Sequence, residues 1–164
     1  MIIIPFDDIA SGGSANVYKT IAAVKVDNTT GARIRIRTLN VASSDDNPLD
    51  EAIRVQLIRI ADVSAGSAGT FATTITAVNL PRTNPNDPDP FALARLNYSA
   101  EPTVFDTHPH DQWSFNDRGF LVDRWEQHDD DWPVALTDQL IALRIALSVA
   151  STAKVTGKIG FEMF

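Results

Sequence analysis

The strongest signal along the chain is a period of two. Ile34 and Ile36 alternate with Arg33, Arg35 and Arg37, which sorts apolar side chains to one side of a pleated strand and guanidinium groups to the other. Ile53, Val55 and Leu57 alternate with Arg54 and Gln56 in the same way. The phase then slips, because Ile58 and Ile60 flank Arg59; a β-bulge or a change of sheet at Ile58 would produce such a slip. Near the end, Ile141, Leu143, Ile145, Leu147 and Val149 alternate with Ala142, Arg144, Ala146, Ser148 and Ala150. Leu and Ala favour helices, but unbroken alternation with β-branched residues among the apolar set decides for a strand. Ser151, Thr152 and Ala153 read as a tight return, and Val155, Gly157, Ile159, Phe161 and Met163 form a second alternating run. The two runs predict a C-terminal hairpin at the centre of the core.

Further strands are predicted over 17–26, 70–80, 91–98, 104–108 and 114–122, and no segment predicts a helix of more than two turns. Turn-forming residues cluster at 27–31, 43–48, 64–69 and 81–90, where Gly, Pro, Asn and Asp supply the backbone conformations that strands avoid. Roughly eight strands at intervals of about 8–15 residues point to an all-β, antiparallel sandwich of jelly-roll type with little or no helix. One domain over 1–164 is expected, since this length suffices for a single core. Ser11-Gly12-Gly13-Ser14 reads as a hinge. Ile2, Ile3, Ile4 and Phe6 before it are either an apolar arm that docks on a neighbour by edge-strand addition or the first strand of the same sandwich.

Composition narrows the function. An apolar fraction of 44% with 21% charged residues is that of a folded globular chain. A formal charge of −7 argues against general binding to nucleic acid, which requires clustered Lys and Arg against phosphate. With no cysteine, disulfides, thiolate metal sites and cysteine nucleophiles are excluded. The N-terminal apolar run lacks a positive flank and is interrupted by Pro5, Asp7 and Asp8, so no signal peptide is expected. No stretch approaches the ~18 apolar residues of a membrane span, so no membrane partner is expected either.

Three constellations carry candidate chemistry. His108, His110 and Asp111, with His128 beside the acid run 129–131, contain imidazoles at strand spacing and a carboxylate that together suit a divalent metal; the other reading is a solvated polar loop. Trp113, Trp125 and Trp132, interleaved with Asp117, Arg118, Asp123 and Glu126, suit stacking on sugar rings; the other reading is that these rings seal a loop or anchor an interface. The abundant carboxylates contain no pair whose spacing marks an acid and base, no nucleophile elbow and no phosphate-binding loop. No catalytic residue and no cofactor is expected.

The segment Glu51-Ala52-Ile53-Arg54-Val55-Gln56-Leu57-Ile58-Arg59, the small-residue loop from Ser64 to Gly69 and the stretch from Pro81 to Pro88 follow one another. Next comes a closing pair that opens Leu140-Ile141-Ala142-Leu143-Arg144 and ends Gly157-Lys158-Ile159-Gly160-Phe161-Glu162. This order resembles the small jelly-roll-like structural proteins of tailed bacteriophages and prophages. The resemblance spans about the C-terminal two thirds of the chain, and the Trp-rich loop 105–133 has no counterpart in it. It implies a capsid decoration (cement) protein, a virion component made in the host cytoplasm, associating as a homotrimer and contacting the major capsid protein. A second reading, from the residues, is a carbohydrate- or receptor-binding module of a phage fibre that uses the Trp113–Trp132 loop.

Overall fold

The computed structural model describes residues 1–26, 33–46, 48–61, 69–76, 92–125, 132–136 and 139–164. Outside them lie the turns expected at 27–31 and 81–90, most of the loop 64–69, the end of the strand expected over 70–80, Glu126, and His128 with its acid run. The strands are β1 (Ile2–Ala10), β2 (Lys19–Val26), β3 (Ile34–Ser43), β4 (Ala52–Ala61), β5 (Thr70–Thr76), β6 (Ala92–Ala100), β7 (Asp111–Asn116), β8 (Phe120–Arg124), β9 (Val134–Ala135), β10 (Gln139–Leu147) and β11 (Lys154–Met163). The described residues contain no helix.

Two antiparallel sheets form a sandwich. The first has the order β1-β11-β3-β8, with β9 beside β3, and the second β5-β6-β2-β10-β4-β7. When the β5–β6 pair and short β9 are set aside, eight strands remain. Their pairings nest, first with last and inward: β1 with β11, β2 with β10, β3 with β8 and β4 with β7. That nesting is a jelly roll, a long antiparallel ribbon wound so that successive pairs alternate between sheets.

The winding corrects the expected C-terminal hairpin. β10 pairs with β2 and β4 in one sheet, while β11 pairs with β1 and β3 in the other. Residues 148–153 are therefore a corner between sheets, and Val149 lies beyond the end of β10. Alternation reports which sides of a strand are buried, not which strand it pairs with. The strand expected over 114–122 divides for the same reason. Asp117, Arg118 and Gly119 turn the chain from β7 in one sheet to β8 in the other. The strand expected over 104–108 is reduced to a single bridge between Phe105 and Ile60.

The phase slip at Ile58 has a different origin from the one anticipated. β4 pairs with β10 from Ile53 to Ala61, and with β7 from Ala52 to Leu57, without a register shift. Ile53, Val55 and Leu57 enter the core between the sheets, whereas Ile58 and Ile60 join a second apolar cluster with Tyr98, Leu140, Ala23 and Ala142. The strand keeps its geometry while the buried side changes. The second cluster lies on the outer face of the β5–β7 sheet, where residues 101–106 run across it. Glu101 accepts hydrogen bonds from the backbone N–H and the hydroxyl of Thr20 on β2, at 2.7 and 2.6 Å, and its carboxylate lies 3.6 Å from Arg144 on β10. The Arg144 guanidinium lies 4.1 Å from the Phe105 ring centre, and Phe105 bridges to β4. A connection from β6 to β7 must traverse three intervening strands, and its side chains seal them as it passes.

Candidate functional site

β1 is the first strand of this sandwich. It pairs with β11 from Ile2 to Ala10, and Ile4 and Phe6 are buried in the core. Ile2 packs against the core from its margin, and Ile3, in register with Gly160, alternates to the outer side. Ser11 locks the end of the strand, accepting from the Ala153 N–H at 3.0 Å through its hydroxyl while its own N–H donates to the Ala153 carbonyl. Of the two roles open to the N-terminal segment, it takes the second, as a strand of its own sheet. The Phe6 ring needs a bare position opposite: a Cβ on Gly157 would come within 2.8 Å of that ring and would collide with the Asn40 carbonyl oxygen.

Trp113 and Trp125 come together against the core, whereas Trp132 stacks on Arg35 and Arg37, which alternate with the core residues Ile34 and Ile36 and so stand on the outer face of the β1-β11-β3-β8 sheet. Trp113 on β7 meets Trp125 edge to face, with ring centres 6.1 Å apart, and Trp125 is only 9% exposed. Trp132, partly buried against the core, is covered by two guanidinium groups, Arg35 at 3.8 Å and Arg37 at 4.3 Å from its ring centre. Arg35 is held in turn by Glu162 at 3.1 Å. This packing supplies cation–π attraction, but Trp132 Nε1 and Arg37 Nη1 are buried with no hydrogen-bond partner among the described residues. Of the polar residues interleaved with these rings, Asp117 is buried and accepts from the backbone N–H groups of Leu49 and Asp50. It therefore fixes the loop before β4 to the β7–β8 turn.

Of the three histidines, His108 and His110 are among the described residues. His108 is exposed, and His110 pairs with Asp111 at 2.9 Å while its N–H donates to the Leu57 carbonyl. Among the described residues no group of three His, Asp or Glu side chains is disposed to hold a metal. Elsewhere, burial pushes the Tyr18 phenol up from its ordinary range and the Arg144 guanidinium down, the latter opposed by Glu101. Both belong to the layer that closes the outer face of the β5–β7 sheet.

The opposite outer face is different. On the β1-β11-β3-β8 sheet, Phe120 and Val122 of β8 stand 72% and 47% exposed. They wall a shallow groove floored by Asn40 and Ala42 of β3 and bounded by Thr156 and Lys158 of β11. Sequence reasoning missed this feature because it ran one strand through 114–122. Asp117-Arg118-Gly119 is a turn signal; once it is read as such, Phe120 and Val122 fall on the side opposite Leu121, and an apolar outer row becomes visible.

No protein-family model matches the chain, and no curated protein matches it.

Proposed function

We propose that the chain is a non-enzymatic structural protein of a tailed-phage virion, a capsid decoration protein that associates as a homotrimer and attaches to the major capsid protein. The observation that carries this reading over a sugar-binding one is the placement of the tryptophans. Trp125 is buried, Trp113 packs on it, and Trp132 lies beneath two arginines, so these rings add rigidity to the β framework instead of forming an open stacking platform. The resemblance of the segments 51–59, 64–69, 81–88 and 140–162 to virion proteins supplies the biological setting, since a jelly roll by itself serves many roles. A decoration protein requires a stiff β core and contacts repeated by symmetry, which together give firm attachment from individually weak contacts.

The test has two parts. Light scattering of the purified chain, with and without EDTA, is expected to give the mass of three copies in both conditions. Co-sedimentation with shells assembled from the major capsid protein of the same genome is expected to carry the chain down at saturating stoichiometry. A monomer at every concentration, or a chain left in the supernatant, would overturn the reading.

A further inference from the structure

The two outer faces of the sandwich are finished differently, and the open one has an electrostatic character of its own. At one end of the β1-β11-β3-β8 sheet, Asp8 is paired with Lys154 at 2.8 Å and Asp7 accepts from the Thr156 hydroxyl at 2.7 Å. At the other end Glu162 is held by Arg35 at 3.1 Å and lies 3.8 Å from Arg37. Between them the outward positions include Phe120, Val122, Ala42, Asn40, Lys158 and Arg124. Lys158 and Arg124 are exposed, and neither has an ion-pair partner among the described residues. The middle of this face is therefore apolar and cationic, on a chain whose net charge is −7. The charges left unpaired there among the described residues are positive, while the chain as a whole carries an excess of carboxylate.

From this we infer that the Phe120–Val122 face is the surface on which a second copy of the chain docks, and that it meets a different, acid-bearing surface of that copy. Face-to-face contact would oppose Lys158 to Lys158 and Arg124 to Arg124 around any two-fold axis through the groove, which like charges disfavour. Contact with the acidic remainder of a neighbour joins opposite charges and buries the Phe120 ring. Such a heterologous contact closes into a ring when the rotation between copies allows, so this inference rests on the homotrimer reading above and names the surface that builds it. The chain covers its other outer face with its own residues 101–106, whereas on this face Trp132 stacks over Arg35 and Arg37 at one end and no described segment crosses Phe120 and Val122.

The experiment compares the wild-type chain with Phe120→Glu and with the double variant Lys158→Glu/Arg124→Glu. Analytical ultracentrifugation over a concentration series reads association, and thermal melting reads the fold. Both variants are expected to weaken self-association at least tenfold, with far-UV spectra unchanged. Val17→Glu, at another exposed apolar position, is expected to leave association as it was. A wild-type trimer that persists unchanged in both variants would overturn this assignment and leave the trimer reading standing. A wild-type chain that is monomeric throughout would overturn both. If that monomer binds capsid shells and Phe120→Glu abolishes the binding, the face belongs to the capsid protein and not to a second copy. Should Phe120→Glu fail to fold, the double variant, which alters only exposed charges, decides the matter.

Discussion

The outer faces of the two sheets carry comparable kinds of residue and meet different fates. On the β5–β7 sheet, Ile58, Ile60, Leu140 and Tyr98 would be an apolar patch if the sheet stood bare. The connection 101–106 crosses them, with Phe105 packed on the cluster and Glu101 tying the crossing to β2. On the β1-β11-β3-β8 sheet, Phe120 and Val122 remain open above small residues of β3. One face is thus part of the fold, contributing to the stability of the single chain. The other contributes little to that stability, so its apolar side chains are available for another surface. A jelly roll needs its strands to be apolar on the side between the sheets. An apolar residue on the far side reflects either a covering segment or a contact still to be made.

Substitutions on the two faces should separate these roles. The largest effect is expected for Tyr98→Ala on the covered face. Tyr98 is 1% exposed and packs against the tilted ring of Phe71, whose centre lies 5.9 Å away. Truncating so large a buried ring should cost about 3–5 kcal/mol, read as a lowered midpoint of chemical unfolding. A loss below about 1 kcal/mol would mean that the second cluster contributes little to the fold. A smaller loss is expected for Glu101→Ala, which leaves the N–H and hydroxyl of fully buried Thr20 without their acceptor. About 2 kcal/mol is expected from two hydrogen bonds to a carboxylate at a partly exposed site. Glu101→Gln, which keeps an acceptor, should recover part of it; equal losses in the two variants would assign the effect to the ion pair with Arg144 instead. The smallest effect belongs to the open face. Phe120→Ala should shift the stability of the monomer by less than about 0.5 kcal/mol, measured under conditions where the chain does not associate. A loss as large as that of Tyr98→Ala would show that the two faces are equivalent after all and would dissolve the contrast.

The candidate site was legible only in part. The spacing of Trp113, Trp125 and Trp132 suggested one cluster; the structure joins Trp113 to Trp125 and stacks Trp132 on Arg35 and Arg37 instead. That Trp113 and Trp125 pack together against the core depends on β7 and β8 lying in different sheets, so that the two rings meet across the end of the sandwich. That Arg35 and Arg37 lie over Trp132 joins positions nearly a hundred residues apart in the chain. Asp117, an apparent partner for a sugar hydroxyl, is instead occupied by backbone N–H groups of the loop before β4. No local pattern encodes that contact. The left-handed backbone at Asp8, Asn16, Asp50 and Asn97 fits the tolerance of Asn and Asp for that conformation, and such positions could be suspected from residue type but not assigned.

Alternation along the chain determined by itself that the protein would be built of strands. It also identified which residues of β3, β4, β10 and β11 would be buried between the sheets, because side chains of a strand point to opposite sides and water sorts them. Pairing was another matter. β10 and β11 are adjacent in sequence with a short connection between them, yet they lie in separate sheets because β2 and β4 take up the edges of β10, and β1 and β3 those of β11. The same limit explains Ile58 and Ile60, whose burial depends on a segment more than forty residues later crossing the outside of their sheet. Local sequence decides which surfaces of a strand must leave water; only the assembled chain decides what covers them, because covering is a contact between segments far apart in the sequence.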